Sequence, residues 1–202
     1  MKFLYGTKNE AKLASMRRTL FSLNIEIMGL NDLNKKVPEV EESGNSPLEN
    51  ARIKAMAYYK EFNMPVFSCD SGLYFENLPD EIQPGIHVRV KNGVYLSDDE
   101  LIRYYSNLAE KYGDIKARYK NAICLVIDDN NIYDSMSDNL SGEPFIITSN
   151  PHKKRVKGFP LDSLSLHIPT GKYYYDMDDY EVDGIALDNG FIEFFNKILM
   201  QS

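Results

Sequence analysis

The stretch Phe67-Ser68-Cys69-Asp70-Ser71-Gly72-Leu73 constrains this chain more than any other. Pro65-Val66-Phe67 reads as a short buried strand, and its apolar run stops at Asp70. A carboxylate there cannot enter a core uncompensated, because burying an unpaired charge is strongly unfavourable. Ser71-Gly72 is expected to turn the chain, with Leu73 to Leu78 as a partner strand. An acid at a strand end, followed by a hydroxyl and a turn, is where α/β proteins commonly place chemistry. An Asx-turn that only ends a strand would use the same residues.

The remaining segments read as walls around that acid. Lys2 to Tyr5 is a short strand stopped by Gly6, and a helix follows from Lys8-Asn9 to about Leu23, with Leu13, Met16, Leu20 and Leu23 on one face. Gly6 to Lys12 is therefore a strand-to-helix turn, where backbone N–H groups attract anions. It lacks the spacing of a P-loop, which disfavours a kinase or standard ATPase. Glu26 to Leu30 is a second strand. The acidic loop Pro38 to Gly44 then runs into Ser46-Pro47-Leu48-Glu49, which has the pattern of a capping box with Pro at the first helical position. That helix reaches about Phe62 and is expected to bury Leu48, Ala51, Ala55, Tyr58 and Phe62, with Lys54 on a different face. The loop's glutamates repel one another, and oxygen ligands of this kind suit magnesium or manganese.

Downstream, His87 to Tyr95 reads as extended, and Ser97-Asp98-Asp99-Glu100 opens a helix to Tyr112 with Leu101, Tyr105, Leu108 and Tyr112 inward. Tyr119 to Ile127 and Ile132 to Met136 flank an Asp-Asn turn, and Gly142 to Thr148 continues a sheet. Asn150 to Lys157 is the one dense basic run. A last helix, from about Asp188 to Met200, is expected to bury Ile192, Phe195 and Leu199.

A chain of 202 residues with no internal repeat or linker suits one compact α/β domain, 1–202. The net charge of -7 argues against nucleic-acid or membrane binding as the main task, and leaves room for a nucleotide. Cys69 and Cys124 have no metal-ligand spacing and are expected to be reduced, as in a cytoplasmic protein. No stretch approaches the ~20 apolar residues of a membrane span.

Four segments together resemble the inosine/xanthosine triphosphate pyrophosphatase family. Thr7-Lys8-Asn9-Glu10-Ala11-Lys12 is similar to its T-x-N-x-x-K turn. Glu41 to Ala55 is similar to E-x-x-G-x-[ST]-x-x-E-N-A-x-x-K-A. Asp70-Ser71-Gly72-Leu73, followed by Pro84-Gly85, is similar to D-S-G-L…P-G, and Gly158-Phe159-Pro160-Leu161-Asp162 to G-F-G-Y-D with two changes. Order and spacing agree over roughly residues 2 to 162. The resemblance implies an elongated, two-lobed α/β fold with a central mixed sheet and a cleft between the lobes, usually a homodimer. It implies magnesium-dependent hydrolysis of non-standard purine nucleoside triphosphates to monophosphate and pyrophosphate, in nucleotide-pool house-cleaning. Carried over by position, Thr7, Lys8, Asn9, Lys12 and Lys54 would hold the triphosphate, with Ser71 beside it. Glu41, or its neighbour Glu42, and Asp70 would serve the metal, and Asp70 would be the general base. Phe159 would stack on the base, with Asp162 near the sugar or base.

Three departures bear on function. Cys69 stands where the family has the first of two acids. Asp183 falls at a family lysine, and Asp188-Asn189 at its His-Arg, so a cationic pair suited to a purine O6 becomes an acceptor and an amide. The basic run Lys153-Lys154-Arg155-Val156-Lys157, just before Phe159, is a candidate replacement for that charge. A nucleotide-binding or sensing protein of the same fold is the alternative reading.

Overall fold

The computed structural model describes residues 1–178 and 189–200. It forms a mixed α/β fold on a seven-stranded sheet, ordered β2-β1-β3-β6-β8-β9 with β7 on β6. The strands are β1 (Lys2–Tyr5), β2 (Glu26–Gly29), β3 (Val66–Phe75), β6 (Ile115–Asp128), β7 (Asn131–Ser135), β8 (Phe145–Ile147) and β9 (Ser165–His167); β4 (Val90–Lys91) and β5 (Val94–Tyr95) form a separate hairpin. Four α-helices accompany them among the described residues: α1 (Glu10–Thr19), α2 (Pro47–Phe62), α3 (Asp98–Tyr112) and α4 (Asn189–Leu199). The chain divides into two compact units, and β3 and β6 each supply residues to both.

In the first unit, β1 runs parallel to β2 and to the start of β3, pairing Tyr5 with Gly29 and with Phe67. Side chains alternate across each strand, and both alternations are apolar. Phe3, Tyr5, Phe67, Ile123 and Leu125 pack with Leu13, Met16 and Leu20 and with Phe191, Phe195 and Ile198. Leu4 and Val66 meet Leu30, Tyr58 and Phe62, while Ala122, Cys124 and Val126 meet Ala51 and Ala55. Runs of that kind belong to strands covered on both faces, here by α1 and α4 on one side and α2 on the other. Tyr5 stacks on Phe67 at 4.6 Å between centroids, and Phe195 meets Phe67 edge-on at 5.2 Å.

The second unit packs α3 on an antiparallel sheet. Ile115 pairs with Ile147 across β6 and β8, and Phe145 with His167 across β8 and β9. Leu73, Phe75, Leu101, Tyr105, Ala117, Phe145, Ile147 and Leu164 form its core. Ser97 and Glu100 make the expected capping box at the start of α3.

Several sequence expectations are corrected. Ser71-Gly72 does not turn the chain: β3 runs unbroken through Val66–Phe75. Gly72 is there for close approach, since a Cβ would lie 2.8 Å from the Tyr74 ring and 3.2 Å from the Gly85 carbonyl carbon. The first helix ends at Thr19, and Phe21–Leu23 forms a separate 3-10 turn closed by Asn24 in the left-handed region. His87 to Tyr95 folds back at Asn92-Gly93, both at positive φ, a hairpin signal the sequence reading passed over. Tyr112 is exposed rather than inward. α4 buries Phe195 as expected, together with Phe191 and Ile198, while Ile192 and Leu199 are half-buried against the same cluster.

Gly6 makes one of the closest backbone approaches among the described residues. A Cβ there would fall 2.1 Å from Ser68 Oγ and 2.8 Å from the Tyr58 ring. Ser68 is fully buried, and its hydroxyl has no hydrogen-bond partner among the described residues. Gly6→Ala is expected to lower stability by roughly 1–3 kcal/mol through overpacking. Ser68→Ala alone is expected to be neutral or stabilising, because it removes an unsatisfied buried group. Urea denaturation of both single variants and the double variant checks this: part of the Gly6→Ala loss should return in the double variant.

Candidate functional site

Three segments of the first unit meet at the end of β3's parallel half. The first is the turn after β1. Gly6 N–H donates to the Phe67 carbonyl at 2.8 Å, which fixes where the turn leaves the sheet. Thr7 Oγ1 accepts from Asn9 N–H at 3.1 Å, and Asn9 Oδ1 accepts from the N–H groups of Ala11 at 2.9 Å and Lys12 at 3.2 Å. Thr7 and Asn9 thus build the helix start, and two of the N–H groups freed there are already capped. Lys8 is exposed, and its carbonyl accepts from Asn31 at 3.5 Å. Lys12 is half-buried, and no carboxylate among the described residues pairs with it within 4 Å. Burial lowers its pKa, the nearby charge of Lys54 lowers it further, and Asp70, Cys69 and Glu42 act in the opposite sense.

The second segment is the acidic loop with the start of α2. The expected capping box is only half made: Ser46 Oγ accepts from Glu49 N–H at 3.2 Å, but the Glu49 carboxylate reaches past it to Asn45 N–H at 2.7 Å. Asn50, buried, takes Gly44 N–H at 2.9 Å. A Cβ at Gly44 would lie 2.7 Å from Asn50 Oδ1, so the loop folds onto the helix only because residue 44 has none. The sequence reading gave Asn50 no task. Its signal was a polar side chain at helical spacing from Pro47 and Lys54, on the face that α2 buries.

Lys54 is buried, against the expectation of a separate face, and bridges the loop to the third segment. Its Nζ lies 3.2 Å from Glu42 Oε1 and 3.2 Å from Asp70 Oδ1. Glu42, not Glu41, is the loop carboxylate that shares Lys54 with Asp70, although both glutamates are exposed. Ser71 follows on the strand, half-buried. Cys69 is a free, half-buried thiol, pushed up to about 12 chiefly by burial. Among the described residues no group of three or more His, Cys, Asp or Glu side chains converges as a metal site. The Glu42 and Asp70 carboxylates converging on one ammonium are a hard, oxygen-only donor pair of the kind magnesium accepts when phosphates and water complete its shell.

Phe159 and Asp162 lie in the second unit. Phe159 is half-buried at the head of a 3-10 turn, Pro160–Leu164, after Gly158 at φ 94°. No described group donates a hydrogen bond to the Asp162 carboxyl, and burial raises its pKa to about 6. Its charge in turn helps raise the hydroxyl pKa values of Tyr119, Tyr174 and Tyr175, after the burial that is their main cause. Asp183 and Asp188 lie outside the described residues, as does the side chain of Asn189.

Residues 3–181 match the model of the Ham1 family. The chain belongs to the Ham1 family. It is 32% identical over 148 residues to a dITP/XTP pyrophosphatase of Hydrogenobaculum sp., covering 64% of this chain and 69% of that protein. A dITP/XTP pyrophosphatase of Christiangramia forsetii is 28% identical over 167 residues, 82% of each chain. Matches to proteins of that name from Oceanobacillus iheyensis and Aquifex aeolicus span 43% and 40% of those proteins' lengths. Among solved structures, a HAM1 protein from Coxiella burnetii superposes with TM-score 0.76 at 24% identity, covering all of both chains. The Staphylococcus aureus Ham1 protein gives 0.73 at 21%, covering 100% of this chain and 99% of that one. At such identities the superpositions establish the Ham1 fold. No helix among the described residues is long and apolar enough to cross a membrane.

A half-buried acid without a hydrogen-bond partner weakens the native state wherever it is ionised. Between the ordinary carboxylate pKa and about 6, the native state binds more protons than the unfolded chain at Asp162, so stability rises as pH falls through that window. Asp162→Asn is therefore expected to melt above the wild type at pH 8, and the gap should close as pH falls from about 6 towards 4. Thermal melts across that range check it.

Proposed function

We propose that this chain hydrolyses non-standard purine nucleoside triphosphates, of the ITP, dITP and XTP class, to the monophosphate and pyrophosphate. The observation that carries the reading is the meeting of Lys54, Asp70 and Glu42 beside the α1 start and Lys12, in a chain of the Ham1 family. The dITP/XTP pyrophosphatase names of its relatives support the choice of substrate.

Triphosphate hydrolysis is mainly a matter of balancing and placing charge. Lys8, Lys12 and Lys54 offer three cations, and the α1 start, shaped by Thr7 and Asn9, adds its dipole. Lys12 is suited to an anion because no described carboxylate pairs with it within 4 Å. Lys54 would exchange a carboxylate for a phosphate oxygen when substrate arrives, freeing Asp70 and Glu42. A magnesium or manganese ion, held by Asp70 with Glu42 or Glu41, would supply charge neutralisation at the phosphates. Asp70, with one oxygen on Lys54 and the other without a described donor, would hold the attacking water and take its proton, with Ser71 beside it. Phe159 would stack on the base, and Asp162 would lie near the sugar or base. A homodimer in the cytoplasm, serving nucleotide-pool house-cleaning, is part of the same reading.

Cys69 favours one competing reading. A neutral thiol in the place of an acid removes a carboxylate from this cluster, as a protein that binds nucleotides without efficient turnover could tolerate. Pyrophosphate release is to be measured with magnesium over ITP, dITP, XTP and the standard triphosphates. Release from ITP, dITP or XTP above the standard purines is expected, with loss on chelation and a fall of about a hundredfold or more for Asp70→Asn with nucleotide binding retained. Binding without release from any member would replace hydrolysis with the binding reading.

A further inference from the structure

We infer that Lys154, held over the ring of Tyr175, reads the base edge of the nucleotide and favours 6-oxo over 6-amino purines. The inference rests on the nucleotide reading above and concerns the second unit alone. Of the four basic side chains between Pro151 and Gly158, Lys154 is the one placed on a described aromatic ring: its Nζ lies 5.0 Å from the centroid of Tyr175. Tyr175 is tied to the expected stacking residue, its hydroxyl donating to the Phe159 carbonyl at 3.5 Å. Its ring is also close enough to feel the charge of Asp162. A half-buried aromatic face, a cation and an unpartnered carboxyl thus gather around Phe159.

Arg155, the stronger candidate by charge and reach, is spent on the backbone. Its guanidinium donates to the Lys154 carbonyl at 3.0 Å and to the His152 carbonyl. The turn that presents Lys154 is fixed by His152. The backbone N–H of His152 donates to the Ser163 carbonyl at 2.7 Å, and its Nδ1 accepts from Lys154 N–H at 3.0 Å. With Nδ1 used as an acceptor, the ring proton belongs on Nε2, which faces the Asp176 carboxylate at 3.2 Å. The His152 ring lies against Tyr173 and Tyr175, at 5.1 and 5.5 Å between centroids. The Lys154 backbone is therefore anchored while its ammonium, exposed, has three donors and no hydrogen-bond partner among the described residues.

The chemistry selects the base. A 6-oxo purine presents two adjacent acceptors, O6 and N7, whereas a 6-amino purine presents one acceptor beside a donor. An ammonium carries donors only, so it gains at the first edge and is opposed at the second. A stacking ring alone has no such preference.

The test compares kcat/KM for ITP and ATP in wild type, Lys154→Ala, Lys154→Arg and Tyr175→Leu. The ITP preference is expected to shrink about tenfold in Lys154→Ala, mainly through KM for ITP, and to return in Lys154→Arg. Tyr175→Leu should lose part of it. A structural role alone would depress both substrates alike, and an unchanged ITP-to-ATP ratio in Lys154→Ala would overturn the inference. Titration of wild type and Lys154→Ala with IMP and AMP separates this from the hydrolysis reading, because it needs no turnover. Preferential IMP binding that Lys154→Ala erases supports the inference even where no triphosphate is cleaved. Equal affinity of wild type for IMP and AMP, or no binding of either, overturns it.

Discussion

The first unit depends on one ammonium. Lys54 brings together two carboxylates from segments 28 residues apart, Glu42 on a loop and Asp70 on a strand, each 3.2 Å away. Removing an ammonium and a carboxylate from water is costly, and the attraction between them repays it only where geometry is good. Two acceptors around one donor meet that condition and settle where the loop lies. Without Lys54, Asp70 would be a nearly buried carboxylate ending an apolar run, the arrangement that folding most disfavours. Lys12, on the α1 side, feels both carboxylates but pairs with no described carboxylate within 4 Å.

Much of this was legible in the residues. Apolar periodicity located α1, α2 and α3, because Leu13, Met16 and Leu20 recur at helical spacing and Ser46-Pro47 and Ser97 mark clean starts. The burial at the start of β3 followed from the apolar run Pro65-Val66-Phe67. Less legible was the role of each glycine. Ser-Gly reads as a turn by local propensity, yet Gly72 sits in a continuous strand because Tyr74 and Gly85 leave no room for a side chain. That is tertiary crowding, and no local pattern encodes it.

The site divides in the same way. The family resemblance, carried over by position, assigned Asp70, Lys54, Lys12 and the α1 start to one site, while the helical pattern alone had put Lys54 on a different face. Which glutamate would meet Asp70 was not legible: adjacent loop residues differ only in direction, and direction is set by Asn50 and Glu49 gripping the backbone at Gly44 and Asn45. Nor could spacing alone show that Arg155 would be absorbed by carbonyls while Lys154 is left over an aromatic ring. Both are short-range geometric outcomes among chemically similar neighbours.

The two thiols carry a practical consequence. Each is raised to about 12 by burial, and each sits in a different layer: Cys69 against the cluster under α1 and α4, Cys124 in the cluster under α2. A thiol so protonated is nearly inert to alkylation while the protein stays closed. Cys124, fully buried, therefore reports on the α2 layer, whereas the half-buried Cys69 reports on the site edge of β3.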